Sequence, residues 1–255
     1  PIMGRSEVKG KMVNVEVVSG GTYKLDIPDG PTYYSETATI RPYMQRFMYK
    51  RFIMKTDSTP NRFVKTLMSD DLNIDLKDND GGFNCGKAAG YIRDFKSLPD
   101  KMQELLKQIK RTRVVFGTIE LDNPVDDTGA SVTVGATPFI WEVENRDAFK
   151  TMGINVFDKL RKMKRLPTHH YARLATEERQ LPNGSCFYLP LATLDLTKTL
   201  GMDDESQEIL ANFLAWVANY NVYINNAWDE NMHKHEEVDK EIVDDFIDIT
   251  AEEFA

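Results

Sequence analysis

Apolar and polar residues alternate with a period of two through much of the first fifty positions, which restricts this chain to folds built on β-strands. Residues 11–18 (KMVNVEVV) and 22–27 (TYKLDI) both alternate, with Ser19-Gly20-Gly21 between them, and read as a β-hairpin. Pro28-Asp29-Gly30-Pro31 has the chemistry of a tight turn. Residues 32–53 are rich in β-branched and aromatic side chains and predict one long strand or two. Residues 56–61 (TDSTPN) break that pattern, 63–72 read as a strand or a short helix, and 73–80 (NIDLKDND) read as a polar loop.

Helices enter later. Met102, Leu105, Leu106 and Ile109 form one stripe and predict a helix over 99–109. Residues 114–121 (VVFGTIEL) read as a strand whose Gly117 marks a bulge or a tight barrel bend. A turn at 123–129, strands at 131–134 and 139–143, and helices at 145–152 and 155–163 follow. Residues 188–194 (YLPLATL) read as a last strand, placed at a sheet edge by Pro190. Ile209, Phe213, Trp216, Val217, Tyr220 and Ile224 recur at helical spacing over 203–228, and Asp203, Asp204 and Glu205 suit that helix's N-terminus. The expectation is an α+β protein, mainly β: an OB-like, partly open barrel elaborated with helices over 1–235, ending in a long helix.

The 255 residues hold 41% hydrophobic and 28% charged residues, an ordinary soluble composition. No apolar run is long enough for a membrane span, and the first residues, PIMGRSEVKG, lack the layout of a secretion signal. Cys85 and Cys186 stand far apart in no metal-type spacing, which fits free thiols in a reducing cytoplasm.

Chemistry concentrates in residues 40–54, IRPYMQRFMYKRFIM. Arg41, Arg46, Lys50 and Arg51 interleave there with Tyr43, Phe47, Tyr49 and Phe52, and no acid intervenes. As a strand, one face shows Arg41, Tyr43, Gln45, Phe47, Tyr49 and Arg51. The other shows Met44, Met48, Phe52 and Met54, with Arg46 and Lys50 among them. Rings that stack on bases, beside cations that pair with phosphates, suit a sequence-tolerant single-strand surface. Met44, Phe47, Met48 and Phe52 also fit helical spacing, so a half-buried element with solvated cations is the competing reading. A second basic run lies at 159–173, with Lys159, Arg161, Lys162, Lys164, Arg165 and Arg173 around His169, His170 and Tyr171.

Residues 236–255 (EEVDKEIVDDFIDITAEEFA) hold nine acids and one lysine, a net charge of −8 that equals the whole chain's. The rest of the chain is therefore neutral. Such a block reads as an interaction tail able to compete with nucleic acid for basic groups, or as an acidic helix packed through Ile242, Val243 and Phe246.

Other motifs carry less. Residues 81–88 (GGFNCGKA) satisfy G-x-x-x-x-G-K, but Ala88 stands where a phosphate loop needs Ser or Thr for magnesium. The preceding segment is acidic and polar rather than a buried strand. The stretch reads instead as a glycine-permitted turn that exposes Lys87 and orients Phe83 and Tyr91. Scattered carboxylates such as Asp70, Asp71 and Asp75, or Glu120 and Asp122, make a metal-dependent nuclease the second alternative, although such clusters arise by chance in a chain with 40 acids. No catalytic residue, metal or cofactor is expected.

Through residues 40–52 and the tail with Glu252-Glu253-Phe254, the chain resembles bacteriophage single-stranded DNA-binding proteins. The likeness is one of architecture and composition and rests on no signature motif. It implies an OB-fold core whose acidic tail contacts the replisome and competes with DNA. Ala255 after Phe254 departs from a tail closed by phenylalanine, and no Cys/His zinc cluster is present. The resemblance implies a protein of the infected host's cytoplasm that serves DNA replication and recombination, with room for a homodimer. Its partners would be single-stranded DNA and replication proteins such as DNA polymerase or helicase-primase. DNA contacts are expected from Arg41, Tyr43, Arg46, Phe47, Tyr49, Lys50, Arg51, Phe52, Lys162, Lys164 and Arg165. Partner contacts are expected from Asp244, Asp245, Phe246, Asp248, Glu252, Glu253 and Phe254. A structural or adaptor protein, using the same rings for protein contacts, is the alternative class.

Overall fold

The structure, a computed structural model, describes residues 13–252 except 19, 55–59, 90, 91 and 145, and describes side chains as far as Met232 except those of Val13 and Ile154. The elements in chain order are β1 (Val13–Val17), β2 (Tyr23–Asp26), β3 (Thr32–Ser35), β4 (Ala38–Ile53), β5 (Arg62–Lys65), α1 (Asp100–Gln108) and β6 (Ile109–Leu121). They continue with β7 (Val125–Asp126), β8 (Thr137–Val143), α2 (Arg146–Met152), α3 (Lys159–Lys162), β9 (Ala172–Gln180), β10 (Cys186–Leu194) and α4 (Asp204–Glu252). The protein is mixed α+β, dominated by one ten-stranded sheet. No helix among the described residues is long and apolar enough to cross a membrane. The chain divides into two compact units, unit 1 of residues 1–47 and 111–219, and unit 2 of residues 48–110 and 220–255.

Unit 1 holds the strand order β10-β9-β4-β6-β8-β1-β2-β3-β7, in which β1 and β8 are parallel. The sheet curls. Although β2 and β9 stand at the two ends of a six-strand run, the Tyr23 hydroxyl donates to the Ala175 carbonyl at 2.8 Å and Thr176 Oγ1 to the Gly21 carbonyl at 2.8 Å. Gly21 has φ +75°, and a Cβ there would fall 2.6 Å from Thr176 Oγ1, so the closure needs glycine. Gly117 in β6 answers the same kind of demand: a Cβ would lie 2.4 Å from the Arg41 carbonyl oxygen, where β4 passes. Val15, Tyr23, Leu25, Ile40, Val115, Phe139, Trp141 and Leu174 fill the interior. Met152, Val156, Phe157 and Leu160 join them from α2, α3 and the π-helical turn Gly153–Asp158 that makes the two helices continuous.

Several expectations need correction in unit 1. Residues 131–134 form no strand beyond a single bridge from Ser131 to Val125. The strand β9 (ARLATEERQ) begins at the end of the basic run and continues through residues 174–180, for which the sequence pattern predicts no element. Its outer half is charged and exposed, so pairing with β10 rather than apolar alternation makes it a strand. β10 is an edge strand, as Pro190 requires.

In unit 2 the outer end of β4 pairs with β5, with Lys50 opposite Lys65 and Phe52 opposite Phe63. Residues 77–83, expected as loop and turn, add to this ladder through bridges from Thr66 to Asp78 and from Lys77 to Phe83. Tyr49, Val64, Leu76 and Cys85 form the core beneath, with Ile53, Leu72 and Ile109 packed on it. Burial pushes the Cys85 thiol well above its ordinary range, so this cysteine packs as a small apolar group.

Asp78 organises the 78–85 turn. The residue is 1% exposed, and its carboxylate accepts from the backbone N–H of Asp80 (3.0 Å), Gly82 (2.9 Å) and Cys85 (3.0 Å). Desolvation still outweighs those three donors and raises its pKa. The folded chain therefore keeps this proton to higher pH than the unfolded chain does, and stability falls as pH climbs from the ordinary carboxylate value through the raised one. Asp78→Asn aims an amide N–H2 at the Cys85 N–H. It should cost about 1–3 kcal/mol near pH 7 and remove that pH slope, as read by thermal unfolding of both proteins from pH 4 to 7.

Within α4 the stripe read from the sequence is buried from Phe213 to Ile224, and Ile209 at its start is half-buried. Phe213, Trp216 and Val217 pack in unit 1, and Tyr220 and Ile224 in unit 2. The helix starts where Asp203 Oδ1 accepts from the Ser206 N–H at 2.9 Å, and the Ser206 hydroxyl first, then this N–H, hold the Asp203 carboxyl below its usual range.

Candidate nucleic-acid interface

The stretch 40–54 is a strand through Ile53, not a helix, yet its burial does not follow the two faces expected of it. Tyr43 is 5% exposed and meets Phe213 edge-on at 5.7 Å. Tyr49 is 1% exposed and donates its hydroxyl to the Leu72 carbonyl at 3.1 Å. Both rings, expected to stack bases, are core side chains. Arg41, expected on a phosphate, spends its guanidinium inside unit 1, donating from Nε to the Thr168 carbonyl at 2.7 Å and from Nη1 to Ser206 Oγ at 2.8 Å. These corrections share a cause: between its pairings with β9 at Ala38–Ile40 and with β5 at Lys50–Ile53, β4 is packed on both faces, as the burial of the neighbouring pairs Tyr43 and Met44, and Met48 and Tyr49, shows.

Phe47 is half-buried against Phe149, at 5.8 Å between ring centres. The Arg113 guanidinium lies over both rings, at 4.9 and 4.5 Å, and donates from Nε to the Phe149 carbonyl at 3.1 Å and from Nη1 to Gln45 Oε1. Burial pulls the Arg113 pKa down to about 10. Arg111, exposed, caps the cluster 5.3 Å above Phe149. Arg46 is partly exposed and donates to the Gln45 carbonyl at 2.8 Å. Lys162, Lys164 and Arg165 are exposed at the end of α3, in a turn where Lys164 has φ +55°.

The predicted residues that come together openly are Lys50 and Phe52, at the outer end of β4 in unit 2. Phe52 is 40% exposed and Phe63 48%, and their centres are 4.9 Å apart. Lys50 Nζ lies 4.9 Å and Lys65 Nζ 5.6 Å from the centre of the Phe63 ring. Arg51, one residue along, faces the other way and donates from Nε to Gln108 Oε1 at 3.1 Å. Phe63 and Lys65 escaped the sequence reading, although a signal was present. The order Lys-x-Phe in β4 is reversed to Phe-x-Lys in β5, so an antiparallel pair sets like opposite like. This small face offers two adjoining π surfaces between two ammonium groups.

The turn at 81–88 is not a phosphate loop. Only a three-residue 3-10 turn, Asn84–Gly86, follows its glycines, and three of its N–H or side-chain groups are committed to Asp75 and Asp78. Lys87, expected to be exposed, is half-buried 5.0 Å above the Tyr49 ring. Phe83 is exposed, as expected, and Tyr91 lies outside the described residues. The carboxylates imagined as a metal site are dispersed into local bonds, Asp71 with Asn73, Asp75 with Asn84, and Asp122 with Arg173. No group of three or more metal-ligating side chains occurs among the described residues. The side chains of Asp244, Asp245, Phe246, Asp248 and Glu252, and the whole of Glu253 and Phe254, lie outside the described residues, so the tail's contacts remain an expectation. Compared with protein-family models, curated proteins and solved structures, the chain matches none.

Proposed function

We propose that this protein binds single-stranded DNA without sequence preference, through the ring-and-lysine face of unit 2. The observation that carries this reading is the register that sets Phe52 beside Phe63 and Lys50 beside Lys65, with both rings exposed. Every base has a π face and every nucleotide a phosphate, so rings between ammonium groups accept any sequence. A duplex hides its base faces and would use the lysines alone.

Unit 1 supports this role as an OB-like, partly open barrel. Its curl from β9 round to β2 is the feature that favours that description over a flat sheet. Lys162, Lys164 and Arg165 extend the basic surface of that unit. The tail of residues 236–255, at a net charge of −8, competes with DNA for the cations and recruits replication proteins. The setting that fits is bacteriophage DNA replication and recombination, where exposed single strands need cover.

Fluorescence anisotropy of a labelled oligo-dT, against a duplex of equal length, tests the reading. The expected result is salt-dependent binding preferring the single strand, tighter at low salt when the chain ends at His235. Lys50→Glu with Lys65→Glu should weaken binding and flatten the dependence of log K on log salt by about 0.7 for each phosphate that is no longer neutralised. Equal affinity for strand and duplex, or none for either, overturns the proposal and turns the exposed rings into a protein-docking face.

A further inference from the structure

The same face of unit 2 continues beyond Phe63. Paired residues of antiparallel strands share a face, and neighbours along a strand alternate. Thr66 pairs with Asp78, and both are buried. Lys65, Lys77 and Asn79, their chain neighbours, therefore belong to the opposite face, the one that carries Phe63. Phe83 pairs with Lys77 and so belongs there as well.

A second ring pair stands at that position. Phe83 is 45% exposed and lies 5.7 Å from Trp228 of α4. Trp228 is half-buried, donates its indole N–H to the Gly82 carbonyl at 3.0 Å, and carries Lys77 Nζ 3.8 Å above its ring. Asp229 shares that ammonium at 3.7 Å. From the strand geometry, two strand spacings across and four residues along, Phe63 and Phe83 are roughly 16 Å apart.

We infer that Phe83 and Trp228 form a second stacking station for the same single strand, with Lys65 and Lys77 meeting the phosphates that run between the two ring pairs. This rests on the proposed single-strand binding and adds a path and a minimum length to it. The stations are separated by several times the roughly 3.4 Å rise of a stacked strand, so they hold separate parts of one oligonucleotide rather than neighbouring bases.

Trp228 reports on its own station. Of the three tryptophans, Trp141 and Trp216 are each 4% exposed, so a strand arriving on the surface changes chiefly the emission of Trp228. Titrating the full chain with oligo-dT should quench tryptophan emission along the same curve as the anisotropy. Trp228→Phe should lose the quench, which assigns the signal to this station, and should weaken binding, because phenylalanine offers a base a smaller ring. Phe83→Ala, at an exposed position where folding is checked by circular dichroism, should weaken binding about fivefold to a hundredfold for a long oligonucleotide. It should have little effect on one too short to span both stations and held at Phe52 and Phe63. Undiminished anisotropy binding with no quench in the wild type and no loss in Phe83→Ala overturns this inference and leaves the Phe52 and Phe63 face standing. Absence of any anisotropy change overturns both.

Discussion

Replacing Phe52 and Phe63 together with alanine should weaken binding of oligo-dT by about 2–4 kcal/mol, some thirtyfold to a thousandfold, while the chain stays folded. The two rings are the exposed aromatic pair of β4 and β5, and each base that loses its stacking partner forfeits about 1–3 kcal/mol. The cost to folding is small by comparison. The rings are 40% and 48% exposed, and their mutual contact contributes about 0.5–1.5 kcal/mol beyond buried area. Duplex affinity should move far less, because a duplex reaches the lysines without its bases. Anisotropy on both substrates, with thermal unfolding as a control, separates these effects. A folded double variant with undiminished single-strand affinity would remove this surface from the mechanism.

Tyr43→Ala should fail differently. This ring is 5% exposed and packs edge-on against Phe213, which in turn lies 5.5 Å from Phe116. Truncation opens a cavity beneath β4 and should cost about 3–5 kcal/mol of stability, the range for large aromatic side chains in cores. Tyr43→Phe keeps the packing, so it should unfold within about 1.5 kcal/mol of the wild type and bind oligo-dT equally well. Chemical denaturation and anisotropy on the two variants give the answer. A Tyr43→Ala protein as stable as the wild type but defective in DNA binding would show that the ring is available to bases after all.

The contrast between Tyr43 and Phe52 shows how far pattern reading reaches. Both belong to one aromatic, basic and acid-free run, and a period of two identified it as a strand because strand geometry is local. Alternation also predicts which residues share a face. It says nothing about what covers that face. Tyr43 lies where Phe213 arrives from a helix 170 residues away in the chain, whereas Phe52 lies where β4 has run beyond such cover within its own unit.

The helical stripe of α4, the hairpin of β1 and β2 and the edge position of β10 were all determined by the sequence itself. Each depends on neighbours along the chain or on the steric limits of one residue type. The strand β9, the commitment of Arg41 to Thr168 and Ser206, and the meeting of Lys50 and Phe52 with Lys65 and Phe63 were decided only by tertiary structure. They depend on which distant backbone supplies the next hydrogen-bonding edge. Charged residues such as those of β9 accept a strand conformation when such an edge is present and have no preference of their own that would announce it.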